Sequence, residues 1–209
     1  MLTVDPHPAL DLRAFITTWP TPLGELDSPD WLQSMAALDT EVPFTPFDDV
    51  IKKAVRDLLR HGGFKPAGRS KPCNEYIRGV AAKGEFPIIN AAVDATNLAV
   101  LHGCLPVSTV DIDKLAQPLR AGIAEQGERY VFNMGGQEIN VSGLICLHDA
   151  DGPCANAVKD SQRAKTNEAS TRTLTIIWGT TDLPGRAQAV LDWHVAINEK
   201  LGGAVEIVR

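Results

Sequence analysis

The sequence lacks any apolar run close to the roughly 18 residues that a bilayer-crossing helix requires, so no membrane partner is expected. It also lacks a basic surplus. Acidic residues outnumber basic ones by 26 to 20, for a formal net charge of −6. Proteins that grip nucleic acid without sequence preference usually carry a strong positive excess. Any such contact here therefore needs a local basic patch on an acidic body. Aromatic residues are scarce at 6%, which argues against a groove that stacks single-stranded bases. No G-x-S-x-G elbow, phosphate-binding loop or dinucleotide fingerprint occurs, and no cofactor is expected. The four cysteines show no C-x-x-C spacing and read as reduced thiols rather than a disulfide framework. The opening MLTVDPHPAL has neither a basic segment nor a long apolar one. The expectation is a cytoplasmic chain without a secretory leader.

What is present suits a globular protein. A hydrophobic fraction of 44% over 209 residues is enough for a sizeable core, read as one domain over 1–209. A strand is expected at 11–18. A helix is expected after Ser28 as N-cap with Pro29 at its first position. TPFDDVIKKAVRDLLRHGG predicts another, with Asp48 and Asp49 in the first turn and Gly62–Gly63 as the stop. Helices follow over KPCNEYIRGVAAKG and from Asn90 to His102. After Gly103 the pattern changes to period two, with strands expected in LPVSTVDI, LRAGIA, RYVFNM, EINVSGLICLHD and TRTLTIIWG. A helix starting at Pro184 and ending at Gly202 precedes a last strand, AVEIV. Segregated helices and strands mark the α+β class, with helices packed on mostly antiparallel sheet.

The helix AVDATNLAVLHG raises the question of function. On a helical projection Ile89, Val93, Asn97, Val100 and Cys104 share a stripe, with Thr96 beside it. Apolar residues occur all round, so the helix is expected to be buried. From periodicity alone, Asp94, Thr96 and Asn97 are either core hydrogen-bonders or the lining of a pocket. His102, Cys104, Cys146, His148, Asp149 and Cys154 are metal-ligating types without metal-site spacing, and no metal is expected. Gly135–Gly136–Gln137 reads as a hairpin turn. The polar run 159–172 reads as a solvated loop or a loop over a pocket mouth.

VDATNLAVLHGCLPVSTVDIDKL resembles the core motif of the editing, tRNA-binding-type domain in the phenylalanyl-tRNA synthetase beta subunit. That motif runs Val-Asp-x-Thr-Asn, an apolar run, Gly, a Pro-containing turn and Asp-x-Asp-Lys-Leu. LRAGIAEQGERYVFNMGGQEINVSGLICLHDADGP is similar to the stretch that follows it in the family. The resemblance covers about residues 70–180, leaving an N-terminal strand and helices over 1–69 and a C-terminal helix and strand over 181–209. The chain looks like a freestanding version of the domain.

The resemblance implies a three-layer α+β fold and hydrolysis of mischarged aminoacyl-tRNA in a pocket between sheets and helices. It implies that Thr96 and Asn97 are pocket residues and that Asp94 supports the helix. On the facing wall the sequence departs from the family. The pocket histidine falls on Ser108, a Gly-Gly turn is replaced near Asp160 and Ser161, and the pocket glutamate falls on or near Ile177. Asp160, Arg163 or Glu168 could supply the missing acid–base group, and no catalytic residue is assigned. Lys65, Arg69, Lys71 and Arg78 are candidate contacts for tRNA. Two classes of function stand: an aminoacyl-tRNA hydrolase or tRNA binder, and a non-catalytic module for a free amino acid or similar metabolite, with Arg163 facing its carboxylate. A complete ligase is not expected, because such a domain has no aminoacylation site.

Overall fold

The structure is a computed structural model and describes residues 2–209. Two four-stranded sheets stack, and helices cover the free face of the second. The first sheet has the order β1 (Leu2–Val4), β4 (Leu119–Ile123), β7 (Ile145–Asp149), β8 (Gly152–Asn156). Its β1–β4 pair is parallel and the others are antiparallel. The second sheet is antiparallel throughout, in the order β10 (Ala204–Ile207), β2 (Leu10–Thr18), β9 (Arg172–Thr180), β3 (Val107–Asp111). A separate hairpin joins β5 (Arg129–Val131) and β6 (Glu138–Asn140). The helices are α1 (Asp30–Ser34), α2 (Asp49–Arg60), α3 (Cys73–Ala81), α4 (Ala91–Gly103) and α5 (Arg186–Lys200).

Strand periodicity builds the layers. Along β9, Leu174, Ile176 and Trp178 join Leu12, Ala14, Ala121, Leu147 and Ala155 in the core between the two sheets. The alternate Ile177 joins Phe15 and Val107 beneath the helices, against Val100 of α4 and Val190 of α5. The N-terminal half of α4 has a third cluster, in which Ala91, Ala95 and Leu98 meet Trp19, Leu32 and Ile197.

Local chemistry explains where the elements end and where they differ from the sequence pattern. Asp48 is the N-cap of α2 rather than a first-turn residue, and its carboxylate accepts from the Ile51 N–H at 2.8 Å. Ser28 caps nothing, since α1 starts after Pro29 and ends within five residues. At the C-terminal helix Gly185 is the N-cap, with φ of 75°, so α5 begins two residues beyond Pro184. The expected strand 138–149 is broken. Asn140 accepts from the Ser142 N–H at 2.9 Å and Gly143 turns the chain at φ of 74°, separating β6 from β7. Strands β1 and β8 carry no strand pattern in sequence; each is held by its neighbour's ladder instead. Gly136, at φ of 73°, closes the β5–β6 hairpin.

Candidate functional site

Only Val93 and Asn97 of α4 are less than fully buried among Ala91–Val100, and both face a cleft of about 310 Å3. Helices α3 and α4 form its sides, β3 its floor and the Pro87–Ile89 segment its rim. The helical stripe Ile89, Val93, Asn97 and Val100 lines it, with Thr96 beside. That volume lies at the lower end for small-molecule sites. Tyr76 and Ile77 of α3 and Val107 add apolar wall.

The sequence positions this cleft through caps and clamps. Asn90 caps α4 by accepting from the Val93 N–H at 3.0 Å. At the other end Cys104 takes a left-handed conformation, φ of 59°, and its carbonyl accepts from the Asn74 side chain at 2.8 Å. That bond ties α3 to the end of α4. Thr96 bridges helix and sheet: its hydroxyl donates to the Ala92 carbonyl at 2.8 Å and lies 2.6 Å from the Thr109 hydroxyl, which meets Thr175 at 3.0 Å. With the Thr96 proton on the Ala92 carbonyl, the other two hydroxyls donate in sequence toward it. The Asn97 side chain has no hydrogen-bond partner among the described residues, so its amide is free for a ligand.

Asp160 enters from the edge of β3. The Asn156 side chain builds the turn that presents it, accepting from the N–H groups of Val158 at 2.8 Å and Lys159 at 3.0 Å. Tyr130 clamps this turn, donating to the Lys159 carbonyl at 2.5 Å and accepting from Asn156 Nδ2. Asp160 Oδ1 accepts from Ser108 Oγ at 2.8 Å and from the Asn156 N–H at 3.1 Å. Ser108 in turn accepts from the Trp178 indole at 3.0 Å. Among the described residues Oδ2 has no partner. Burial pushes the Asp160 carboxyl up to about 6, against the lowering pull of those hydrogen bonds. Cys73 also lines the cleft, but burial pushes its thiol up to about 12, which leaves it a poor nucleophile at neutral pH. Among the described residues no Lys or Arg is part of the lining.

Residues 69–182 match the B3/4 domain. The chain belongs to the B3/4 domain family. Its fold is that of an N-terminal fragment of the phenylalanyl-tRNA synthetase beta subunit from Pyrococcus horikoshii, with a TM-score of 0.50 at 12% identity. The superposition covers 98% of this chain but 50% of the fragment, so the chain spans half its length. No curated protein gives a match.

In this B3/4 domain the other candidate residues lie elsewhere. Ser108 does not face the cleft. It points between the sheets and also reaches the Asn156 carbonyl at 3.1 Å, holding Asp160 from behind. Strand alternation turns its neighbour Thr109 to the cleft instead. Ser161 is buried, its backbone N–H bonded to the Cys154 carbonyl at 2.8 Å, and it lines no part of the cleft. Arg163 is committed to Asp149 in two bonds of 2.6 and 2.7 Å and faces no cleft. Burial raises Asp149, but Arg163 and the Ala116 and Asp151 N–H groups outweigh it and hold the carboxyl low. Asp94 lies off the cleft: Oδ1 accepts from the Ile89 N–H at 2.8 Å, which secures the rim. Ile177 is core beneath the helices, and Glu168 stands against Gly24. Lys65, Arg69 and Lys71 are exposed, while Arg78 lies over Phe47 with 4.9 Å to the ring centroid.

Cys146 and Cys154 belong to the intersheet core, and His148 meets Glu128 at 3.4 Å. Among the described residues no group of three potential ligands is placed to hold a metal ion. No helix there is long and apolar enough to cross a membrane. The residues that sequence reasoning missed are Tyr76, Thr109 and Asn156. The period-two pattern of β3 pointed to Thr109, and the Asn-Ala-Val-Lys-Asp run is an Asx-turn pattern.

Proposed function

We propose that the cleft receives the aminoacyl end of an aminoacyl-tRNA and that the chain hydrolyses its ester bond. The carrying observation is a recessed carboxylate, Asp160, with one free oxygen in a cleft whose described lining holds no cation. An aminoacyl ester brings an ammonium group and no carboxylate. A free amino acid brings both, and its carboxylate would lose water beside Asp160 without gaining a partner. Arg163, the cation that could have served, is spent on Asp149. The cleft thus favours the ester over the free metabolite. The likeness in fold to a synthetase beta subunit supports a tRNA-borne substrate.

Asp160 Oδ2 anchors the ammonium. The unpartnered Asn97 amide orients the ester carbonyl and the attacking water, and the apolar walls keep the rest of the solvent out. A deacylation assay over a panel of mischarged tRNAs tests this. At least one pair is expected to be hydrolysed. Asp160→Asn is expected to lower kcat/KM by about 10–100-fold, the worth of one charge-assisted hydrogen bond. Hydrolysis no faster than that of Asn97→Ala for every pair ends the hydrolase reading. Calorimetry separates the alternative: an amino acid binding more tightly than its own methyl ester assigns the cleft to a free metabolite.

A further inference from the structure

Beside the cleft runs a second opening, a groove of about 670 Å3 between the loop before α3 and the β5–β6 hairpin. We propose that this groove binds the phosphodiester adjoining the aminoacyl end, with Arg69 and Lys159 as its cationic contacts; the assignment of the ligand rests on the aminoacyl-tRNA reading of the cleft. Lys159 opens the polar run 159–172, which reads in sequence as a solvated loop or a loop over a pocket mouth.

Three observations converge here. Arg69 and Lys159 both line the groove, and neither has a carboxylate partner among the described residues. Two unpaired cations on one concave wall make it locally basic on an acidic body of net charge −6. Glu138 also lines the groove, but its nearest cation is Arg129 at 3.9 Å. Second, the cluster is held together despite repulsion. Lys159 is pushed down by burial and then by Arg69 and Lys165. Lys165 is fixed nearby through the Phe132 carbonyl at 2.6 Å, and the Lys159 ammonium sits 4.1 Å from the Phe132 ring centroid. An anion would relieve that repulsion. Ser70, Gln137 and Asn140 supply neutral donors along the same walls.

Third, groove and cleft are built on the same two segments. Lys159 lines the groove and the next residue, Asp160, lines the cleft; Arg69 and Ser70 lie in the groove and Cys73 in the cleft. The order of charges fits one ligand. On a terminal nucleotide the ribose carries the acyl ester on one side and the phosphodiester on the other. An ammonium site adjoining a phosphate site therefore spans a single nucleotide.

Fluorescence anisotropy with a labelled, non-acylated oligoribonucleotide ending C-C-A tests the groove apart from the cleft. Binding to the full chain is expected to weaken about 10-fold in Lys159→Ala and in Arg69→Ala, the usual worth of a charge-assisted interaction. The slope of log K against log salt should fall by about 0.7 for each phosphate that is no longer neutralised. Lys159→Gln keeps the stem over Phe132 and covers the case in which the alanine variant misfolds. Lys200→Gln, which removes a surface cation seated over Trp31 and lining neither opening, is expected to leave oligonucleotide binding within about twofold of wild type. Failure of the deacylation assay with retained, Lys159-dependent binding would then discard the hydrolase reading alone. Equal affinity in wild type, Lys159→Gln and Arg69→Ala overturns the groove proposal. Displacement of the oligonucleotide by an equal concentration of inorganic phosphate also overturns it, assigning the groove to a free anion.

Discussion

Asp160 accepts two hydrogen bonds at one oxygen and leaves the other to the cleft, so its carboxylate is held where water is scarce. Its folded pKa of about 6 lies above the ordinary aspartate value of 3.8. The folded state therefore binds this proton more tightly than the unfolded chain does. Stability falls as pH rises from about 4 to about 6 and stays lower above that. Asp160→Asn keeps the shape and both acceptor bonds while removing the charge. It is expected to raise stability by about 1–3 kcal/mol at pH near 8, with the gain vanishing near pH 4, as read by urea denaturation at both pH values. A stability loss at high pH would mean that the ionised carboxylate is paired. At this scale the sequence was partly legible. Thr96 and Asn97 were marked as polar residues in an apolar helix, and both line the cleft. Ser108 and Arg163 share the same chemistry as pocket residues but point elsewhere, because strand alternation and the Asp149 partner decide their direction.

Elements meet closely at a few points that side-chain patterns do not mark. The turn at Gly143 packs on the stop of α2 at Gly62. A Cβ at Gly143 would stand 2.2 Å from the Gly62 carbonyl oxygen, at a φ of 74°. Neither a backbone oxygen nor a left-handed conformation can yield cheaply. Gly143→Ala is expected to cost about 2–4 kcal/mol, seen as a lowered denaturation midpoint. Gly136→Ala, whose Cβ would meet nothing within 4 Å, is expected to cost about 1 kcal/mol, the left-handed penalty alone. Similar losses at both sites would show that the Gly62–Gly143 packing is not tight. The long elements were legible because their periods are strong: α2, α4, α5, β2 and β9 all stand where the pattern puts them. Short ones such as β1 and β8 were not, since three to five residues carry too little periodicity and their pairing partners are remote.

At the scale of the molecule, two stacked sheets and a helical layer hold the thiols of Cys104, Cys146 and Cys154 away from water, while Cys73 borders the cleft. Burial pushes the thiols of Cys73 and Cys154 up to about 12 and raises those of Cys104 and Cys146. All four are free. A thiol-reactive disulfide reagent near pH 8 is expected to label none of Cys104, Cys146 and Cys154 within minutes in the native protein and all four thiols in denaturant. Fast native labelling of Cys146 would contradict the intersheet packing.

Composition and periodicity determined, without any structure, the α+β class, the main helices and strands, and the stripe of α4 that carries Asn97. These follow from local spacing, which every stretch of chain displays by itself. The tertiary structure alone decided that Asp160 reaches the cleft, that Arg163 does not, and that Lys159 and Arg69 share a groove. Each depends on segments far apart in sequence, joined by an Asx turn, a half-buried ion pair and a hairpin whose contacts exist only once the layers have packed.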